Sequence, residues 1–264
     1  MDTNVEKMIN TAVMNMINKC GSTNKIKHLL KKHDMKIHFI PKKYRVFGGL
    51  LQSMNIQFGN FIEELMAVLL SNETKFEVIS TYKDNRNNRF KISNNNERQI
   101  DEYITKCQVE NDFDIDMEFP KLLKRIIEDN DTALNTFTHD IDLLFKDKET
   151  GVIYYLEMKY NDDHDTGKFV DINRKFIKTY AYLTKEFNIT SQTELVPILF
   201  FFTNKRMKGN IYIPEKTNIR RGKAFFEEFL SVKYLDVDEY MSNLSESDSV
   251  VEMFNTLYSK IMAL

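Results

Sequence analysis

The sequence predicts an α/β fold, a mixed central sheet flanked by helices, and three runs near the middle of the chain predict it. Asp140-Ile-Asp-Leu-Leu-Phe145 alternates and then turns fully apolar, Lys146 to Gly151 supplies turn residues, and Val152 to Lys159 is a second β-rich run, so the two make a hairpin. Lys168 to Phe187 places Phe169, Ile172, Phe176, Ile177, Tyr180 and Leu183 at helical spacing, and Leu195 to Thr203 reads as a short buried strand between polar residues. Strand, strand, helix, strand is the order of an α/β core.

The remaining elements are read around that core. Residues 1–20 space Met8, Ile9, Ala12, Val13, Met16 and Ile17 as one face of a helix, with Asp2, Glu6 and Lys7 among them, which is an amphipathic helix and not a signal peptide. Lys25 to Arg45 is a basic segment whose single acid is Asp34. Phe61, Ile62, Leu65, Val68 and Leu69 predict a helix over 60–71, with Gly59 and Asn60 as its N-terminal boundary. Phe76 to Ile79 reads as a short strand, and the polar run Lys83 to Arg89 with Asn94 to Asn96 as a turn-rich hairpin or loop. Residues 98–108 and 120–129 read as helices, separated by Glu110, Asp112, Asp114, Asp116 and Glu118, an acidic stretch expected on a solvated surface. Residues 205–223 return to a basic loop or hairpin, and helices at about 223–231 and 247–262 close the chain. No repeat and no Pro/Gly/Ser-rich linker interrupts it, so a single elaborated domain over 1–264 is expected.

Composition narrows the function classes. With 264 residues, 42% of them hydrophobic, the chain can bury one substantial core or two modest ones, which excludes global disorder. Its 37 Lys+Arg against 39 Asp+Glu exclude a uniformly basic coat, so a polyanion must meet a local patch. Cys20 and Cys107 stand far apart and in no metal spacing, which excludes a disulfide framework and a Cys-rich zinc site and fits a reducing, cytoplasmic setting. The longest apolar run, Leu195 to Phe202, is far short of the roughly 20 residues that span a bilayer, so no membrane partner is expected.

Side chains alternate along a strand, so Asp140 and Asp142 share a face, and Glu157 and Lys159 likewise share a face. The hairpin brings the two ends together, and two or three carboxylates with one amine converge. Carboxylates at that density repel one another unless a cation neutralises them, and a hard divalent ion, Mg²⁺ by preference, suits oxygen ligands of this kind. A metal there lowers the pKa of a bound water and neutralises charge growing on a phosphate oxygen, with Lys159 beside it to orient the water. The reaction such a set supports is phosphodiester hydrolysis.

Asp142 followed after a turn by Glu157-Met-Lys159 resembles the PD-(D/E)xK nuclease motif. The resemblance implies a restriction-endonuclease-like core, with Asp142 and Glu157 binding metal and Lys159 assisting the water. The motif's Pro is replaced by His139 or Ile141, depending on which Asp is aligned, so Asp140 and Asp142 are both eligible; the Leu-Leu-Phe after Asp142 favours Asp142. The superfamily often adds an acid from an upstream helix, and Phe58-Gly-Asn-Phe-Ile-Glu-Glu-Leu65 is similar to that element, with Glu63 preferred and Glu64 as the alternative. The longer strings Gln52 to Gly59, Glu157 to Lys168 and Ile172 to Lys175 resemble bacterial type II restriction endonucleases, near the HinfI and TdeIII types. That resemblance implies Mg²⁺-dependent cleavage of double-stranded DNA at a short specific site, a homodimer and a cognate DNA methyltransferase. It implies a catalytic core at about 50–71 and 135–203, with 1–49, 72–134 and 204–264 serving DNA recognition or dimer contacts.

Asn173, Arg174 and Lys175, with Lys205, Arg206, Arg220 and Arg221, are the candidate DNA contacts, since Arg and Lys meet phosphates and Arg and Asn also read base edges. His164 and Lys168 are candidates for a phosphate or loop contact, against a plain reading in which the Asp162-Asp-His-Asp165 loop caps the following helix. His139-Asp140 also invites a His-Asp metal phosphohydrolase, but that chemistry places its ligands on helices and His139-Asp140 starts a strand. Two rivals remain: a repair or recombination nuclease that reads DNA structure, and a DNA-binding module with a silent nuclease core.

Overall fold

A computed structural model describes residues 3–35, 37–80 and 88–264. Along it run α1 (Thr3–Cys20), α2 (Thr23–Asp34), α3 (Lys42–Asn72), β1 (Phe76–Val78), β2 (Arg89–Ser93), α4 (Asn94–Val109), α5 (Ile115–Glu128), β3 (Leu134–Thr138), β4 (Leu143–Asp147) and β5 (Ile153–Lys159). Then follow α6 (Thr166–Glu186), β6 (Leu195–Phe201), β7 (Ile219–Arg221), α7 (Gly222–Phe229), α8 (Tyr234–Ser245) and α9 (Asp248–Met262). Contacts gather the chain into two compact units, Met1–Leu65 with Val232–Leu264, and Met66–Ser231. The first boundary falls inside the continuous helix α3, so no linker is there for composition to show.

The first unit is helical. Ile17, Cys20, Ile26, Leu29, Val46, Leu50, Met54, Val250, Leu257 and Ile261 bury against one another at its centre. Helix α3 begins at Lys42, well before the expected boundary at Gly59 and Asn60, and passes through Gly48, Gly49 and Gly59. Each helical glycine costs about 1 kcal/mol relative to Ala. Val46, Leu50 and Met54 recur every four residues and are buried, so packing of that stripe outweighs the local preference. Helix α8 was not expected; among its described residues only Tyr234 and Val237 are buried, too few for a periodic signal.

The second unit holds a five-stranded sheet in the order β1-β4-β5-β6-β7 and a two-stranded sheet of β2 with β3. Strands β1, β4 and β5 pair antiparallel, while β5, β6 and β7 run parallel, so the main sheet is mixed. One face carries Phe76, Phe145, Tyr154, Phe225 and Phe229 in edge and stacked contact, closed by α7. The opposite face packs on α6, where Tyr155 stacks on Phe176 at 5.2 Å. The expected strand from Asp140 begins at Leu143 instead: β3 pairs with β2 in the small sheet, and residues 139–142 carry the chain to the large one.

Two loop expectations are also corrected. Asn94 to Asn96 form the first turn of α4, because the Ser93 hydroxyl accepts from the Asn96 N–H and caps it. Of the two alternatives for residues 205–223, loop holds over 205–218 and hairpin does not, since the segment then enters β7, which runs parallel to β6. The acidic stretch before α5 has a local task as well as exposure: Asp114 caps the Met117 N–H, and Asp116 and Glu118 sit in the first turn, where a helix favours negative charge. The polar run from Lys83 lies outside the described residues as far as Asn87, as does Lys36 of the basic segment.

Candidate active site

The pairing of β4 with β5 opposes Leu143 to Leu156, which sets Asp142, the next residue outward, beside Glu157. Tyr155, Glu157 and Lys159 alternate onto the face of β5 that packs on α6. The Lys159 ammonium donates to Glu157 Oε1 at 2.6 Å, to Asp142 Oδ2 at 3.4 Å and to the Met158 carbonyl at 2.7 Å. The Met158 N–H donates to the same Asp142 Oδ2 at 2.6 Å. Both of its donors therefore fall on one oxygen, and Asp142 Oδ1 has none among the described residues. Glu157 is 3% exposed, Asp142 12% and Lys159 22%, so the cluster opens outward through the lysine and Asp142.

The two carboxyls differ in character. Burial, and then the nearby Glu157 charge, push Asp142 above the usual carboxylate range. Burial also works against ionised Glu157, but Lys159 and His139 outweigh it and hold that carboxyl below its usual range. One amine thus offsets the repulsion of two buried acids without satisfying both.

Residues 1–245 match the family described as "Type II restriction endonuclease, HinfI". The chain is 58% identical to the type II restriction enzyme HinfI of Haemophilus influenzae over 264 residues, the full length of both. It belongs to the HinfI family of type II restriction endonucleases. No solved structure matches it.

The other residues expected to serve this HinfI-family chain are sorted by their surroundings. Asp140 is exposed and accepts from the Asn88 N–H at 3.3 Å, outside the Lys159 cluster, so of the two eligible aspartates it is Asp142 that meets Glu157 and Lys159. Glu63 is half-buried and Glu64 exposed, both on the stretch of α3 that belongs to the first unit. Asn173 was expected at DNA but is fully buried: its amide donates to the Phe169 carbonyl and accepts from Asn210, so it ties α6 to the 210 loop inside the protein. Arg221 is likewise interior, bound to Asp162 and bidentate to Glu215. Arg174 pairs with Asp101 at 2.7 Å, Lys175 with Asp171 at 3.0 Å, and Arg220 with Glu228. Lys168, Lys205 and Arg206 are exposed. The Arg206 guanidinium lies so close to Gly209 that a Cβ there would stand 2.5 Å from it, and Gly209 has φ +80, a conformation suited to glycine. His164 is half-buried against Phe169, its Nε2 without a hydrogen-bond partner, and burial followed by Lys168 and Lys159 holds its pKa down.

Two groups of residues escaped the sequence reading. Asp162 accepts from the Met207 and Gly209 N–H groups and from Arg221, fixing the loop that carries Lys205 and Arg206. Behind Glu157 stand His139, Tyr155 and Thr179. His139 was visible as the residue in place of the motif's Pro and in the discarded His-Asp reading, not as a partner of Glu157; the alternation that put Glu157 with Lys159 also puts Tyr155 on that face.

Type II restriction endonucleases generally need a divalent metal. Among the described residues no group of three His, Cys, Asp or Glu side chains is set to hold one. The Asp142 and Glu157 pair still fits a hard cation, since Mg²⁺ is commonly held by one or two carboxylates and keeps several waters. The Asp142 oxygen that lacks a donor is the open position in that set. No helix among the described residues is long and apolar enough to cross a membrane.

Proposed function

We propose that this HinfI-family chain cuts double-stranded DNA at a short specific site by Mg²⁺-dependent phosphodiester hydrolysis, with Asp142 and Glu157 as metal ligands and Lys159 serving the attacking water. One observation carries the assignment: a single ammonium joins the buried Glu157 and the largely buried Asp142 at the C-terminal end of β5, the central strand of a mixed sheet. The same placement supports a PD-(D/E)xK core, in which the residue before one strand faces a Glu-x-Lys on the next. Glu63 is the proposed accessory acid, with Glu64 as its alternative.

When bound, Mg²⁺ supplies Lewis-acid stabilisation of the charge that grows on the phosphate oxygens. The chain supplies the rest. Asp142 presents Oδ1 outward while the Met158 N–H fixes Oδ2, so the carboxylate is oriented before substrate arrives. Against its 2.6 Å bond to Glu157 and 2.7 Å bond to the Met158 carbonyl, the Lys159 contact to Asp142 is long, at 3.4 Å, and on that side the ammonium is proposed to hold a water in line with the scissile bond. Of the expected contacts, Lys168, Lys205 and Arg206 are exposed, and with Lys175 beyond its own-helix pair they are the ones proposed to meet phosphates. The chain is proposed to act in the cytoplasm as a homodimer, one subunit per strand of a palindromic site, beside a methyltransferase that protects the host DNA.

Digestion of plasmid and phage DNA by the purified protein with Mg²⁺, with EDTA and with Glu157→Ala tests this. Discrete fragments that need Mg²⁺ and vanish in the variant are expected. A smear, or cutting confined to branched DNA, would overturn site-specific cleavage, and salt-sensitive binding without cutting would mean a silent core.

A further inference from the structure

Glu157 has a protein partner on each oxygen. Oε1 receives Lys159, while Oε2 faces inward, where the Tyr155 hydroxyl donates at 3.3 Å and His139 Nε2 stands at 3.5 Å. The far nitrogen of that imidazole, Nδ1, lies 2.8 Å from the Thr179 hydroxyl on α6. Tyr155 and Thr179 are fully buried and His139 is 12% exposed. With Nδ1 accepting from Thr179, Nε2 carries the ring proton and points it at Glu157. The four groups come from the segment before β4, from β5 and from α6, so strand, loop and helix all bear on one carboxylate.

A buried glutamate can turn about three side-chain bonds, and ordering it costs rotamer freedom. A ligand to a metal must stand in one orientation, and the partners behind such ligands tune affinity by about 10–100-fold. Polar groups this deep are costly unless paired, so chemistry for which Glu157 alone sufficed would leave no reason to bury a tyrosine hydroxyl and an imidazole beneath it.

We infer that His139 and Tyr155, with Thr179 behind the histidine, are positioning residues that hold the inner oxygen of Glu157 and so present its outer oxygen to a divalent cation. The inference rests on the proposal that Glu157 is a metal ligand. None of the three touches the cation or the DNA; they act through Glu157.

Mn²⁺ binding to the full-length protein, measured by titration calorimetry without DNA, separates the two claims. Tyr155→Phe keeps the ring stacked on Phe176 and removes only the hydroxyl; it and His139→Gln are each expected to weaken Mn²⁺ about 10-fold, with the circular dichroism spectrum of the parent. Thr179→Val is expected to weaken Mn²⁺ and Thr179→Ser, which keeps the hydroxyl, to restore it, a pattern that loss of packing would not give. Parent-like Mn²⁺ affinity in Tyr155→Phe and His139→Gln, with Glu157→Gln weakened, would overturn the positioning role alone. Parent-like affinity in Glu157→Gln would overturn the ligand assignment and this inference with it.

Discussion

Two clusters in the second unit, each built on a buried carboxylate, contain the same charges and hold them differently. Each has two carboxylates and one cation: Asp142, Glu157 and Lys159 in one, Asp162, Glu215 and Arg221 in the other. In the second, Asp162 takes two backbone N–H groups and an arginine, Arg221 grips Glu215 through two nitrogens, and the guanidinium lies 5.0 Å over the Phe201 ring. Burial opposes the Asp162 charge, yet those donors hold its carboxyl below the usual range. In the first, Asp142 has two donors on one oxygen, and burial with the Glu157 charge drives its carboxyl above that range. Net charge is the same and saturation is not. In the second cluster every carboxylate oxygen has a donor, although Arg221 Nη1 has no acceptor among the described residues; acceptors so met are built to hold a loop, whereas a cluster that leaves an acceptor over is built to receive a cation.

The largest expected effect is on cleavage. Asp142→Asn and Glu157→Gln are expected to lower kcat by about 10³-fold, the scale seen when one electrostatic element of a transition-state site is removed, as read in single-turnover assays with Mg²⁺. Next is stability: Asp162→Asn leaves Arg221 with one partner fewer in the interior and is expected to cost about 3 kcal/mol in urea unfolding. Comparable loss of stability in Asp142→Asn would break the comparison.

Without metal the two aspartates are expected to act with opposite sign. The raised pKa of Asp142 means that its contribution to stability is present below the ordinary carboxylate range and is lost as pH rises through the raised value. The lowered pKa of Asp162 means that its contribution is present above that range and is lost as pH falls through the lowered value. In EDTA at neutral pH, Asp142→Asn is therefore expected to gain about 1 kcal/mol in thermal unfolding while Asp162→Asn loses stability. The smallest effect belongs to the loop that Asp162 holds: Lys205→Ala and Arg206→Ala are each expected to lower the salt slope of DNA binding by about 1, measured by retardation in EDTA, with the fold unchanged.

What was legible in the sequence was what short-range spacing encodes. The alternation of β5, the turn before it and the stripe of α6 follow from neighbouring residues, and they brought Asp142, Glu157 and Lys159 together. Contacts between distant parts of the chain were not legible. His139 finds Thr179 40 residues on, and Asp162 finds Arg221 59 residues on, through a fold that no local pattern specifies. Asn173 is different, because its burial was encoded: it sits four residues after Phe169 and four before Ile177, on the stripe that defines the helix. Its polarity was read ahead of its position. Helix α3 shows the converse, where Gly59 was read as punctuation although the apolar stripe before it continues the helix.

Single-turnover cleavage of plasmid DNA by Asp142→Asn and Asp162→Asn, side by side with Mg²⁺ at a temperature where both are folded, tests the division of labour most directly. The expected result is that Asp142→Asn stays folded and does not cut, while Asp162→Asn, once folded, cuts the same fragments as the parent. Cleavage by Asp142→Asn within a few-fold of the parent rate would contradict the assignment of the catalytic centre to Asp142, Glu157 and Lys159.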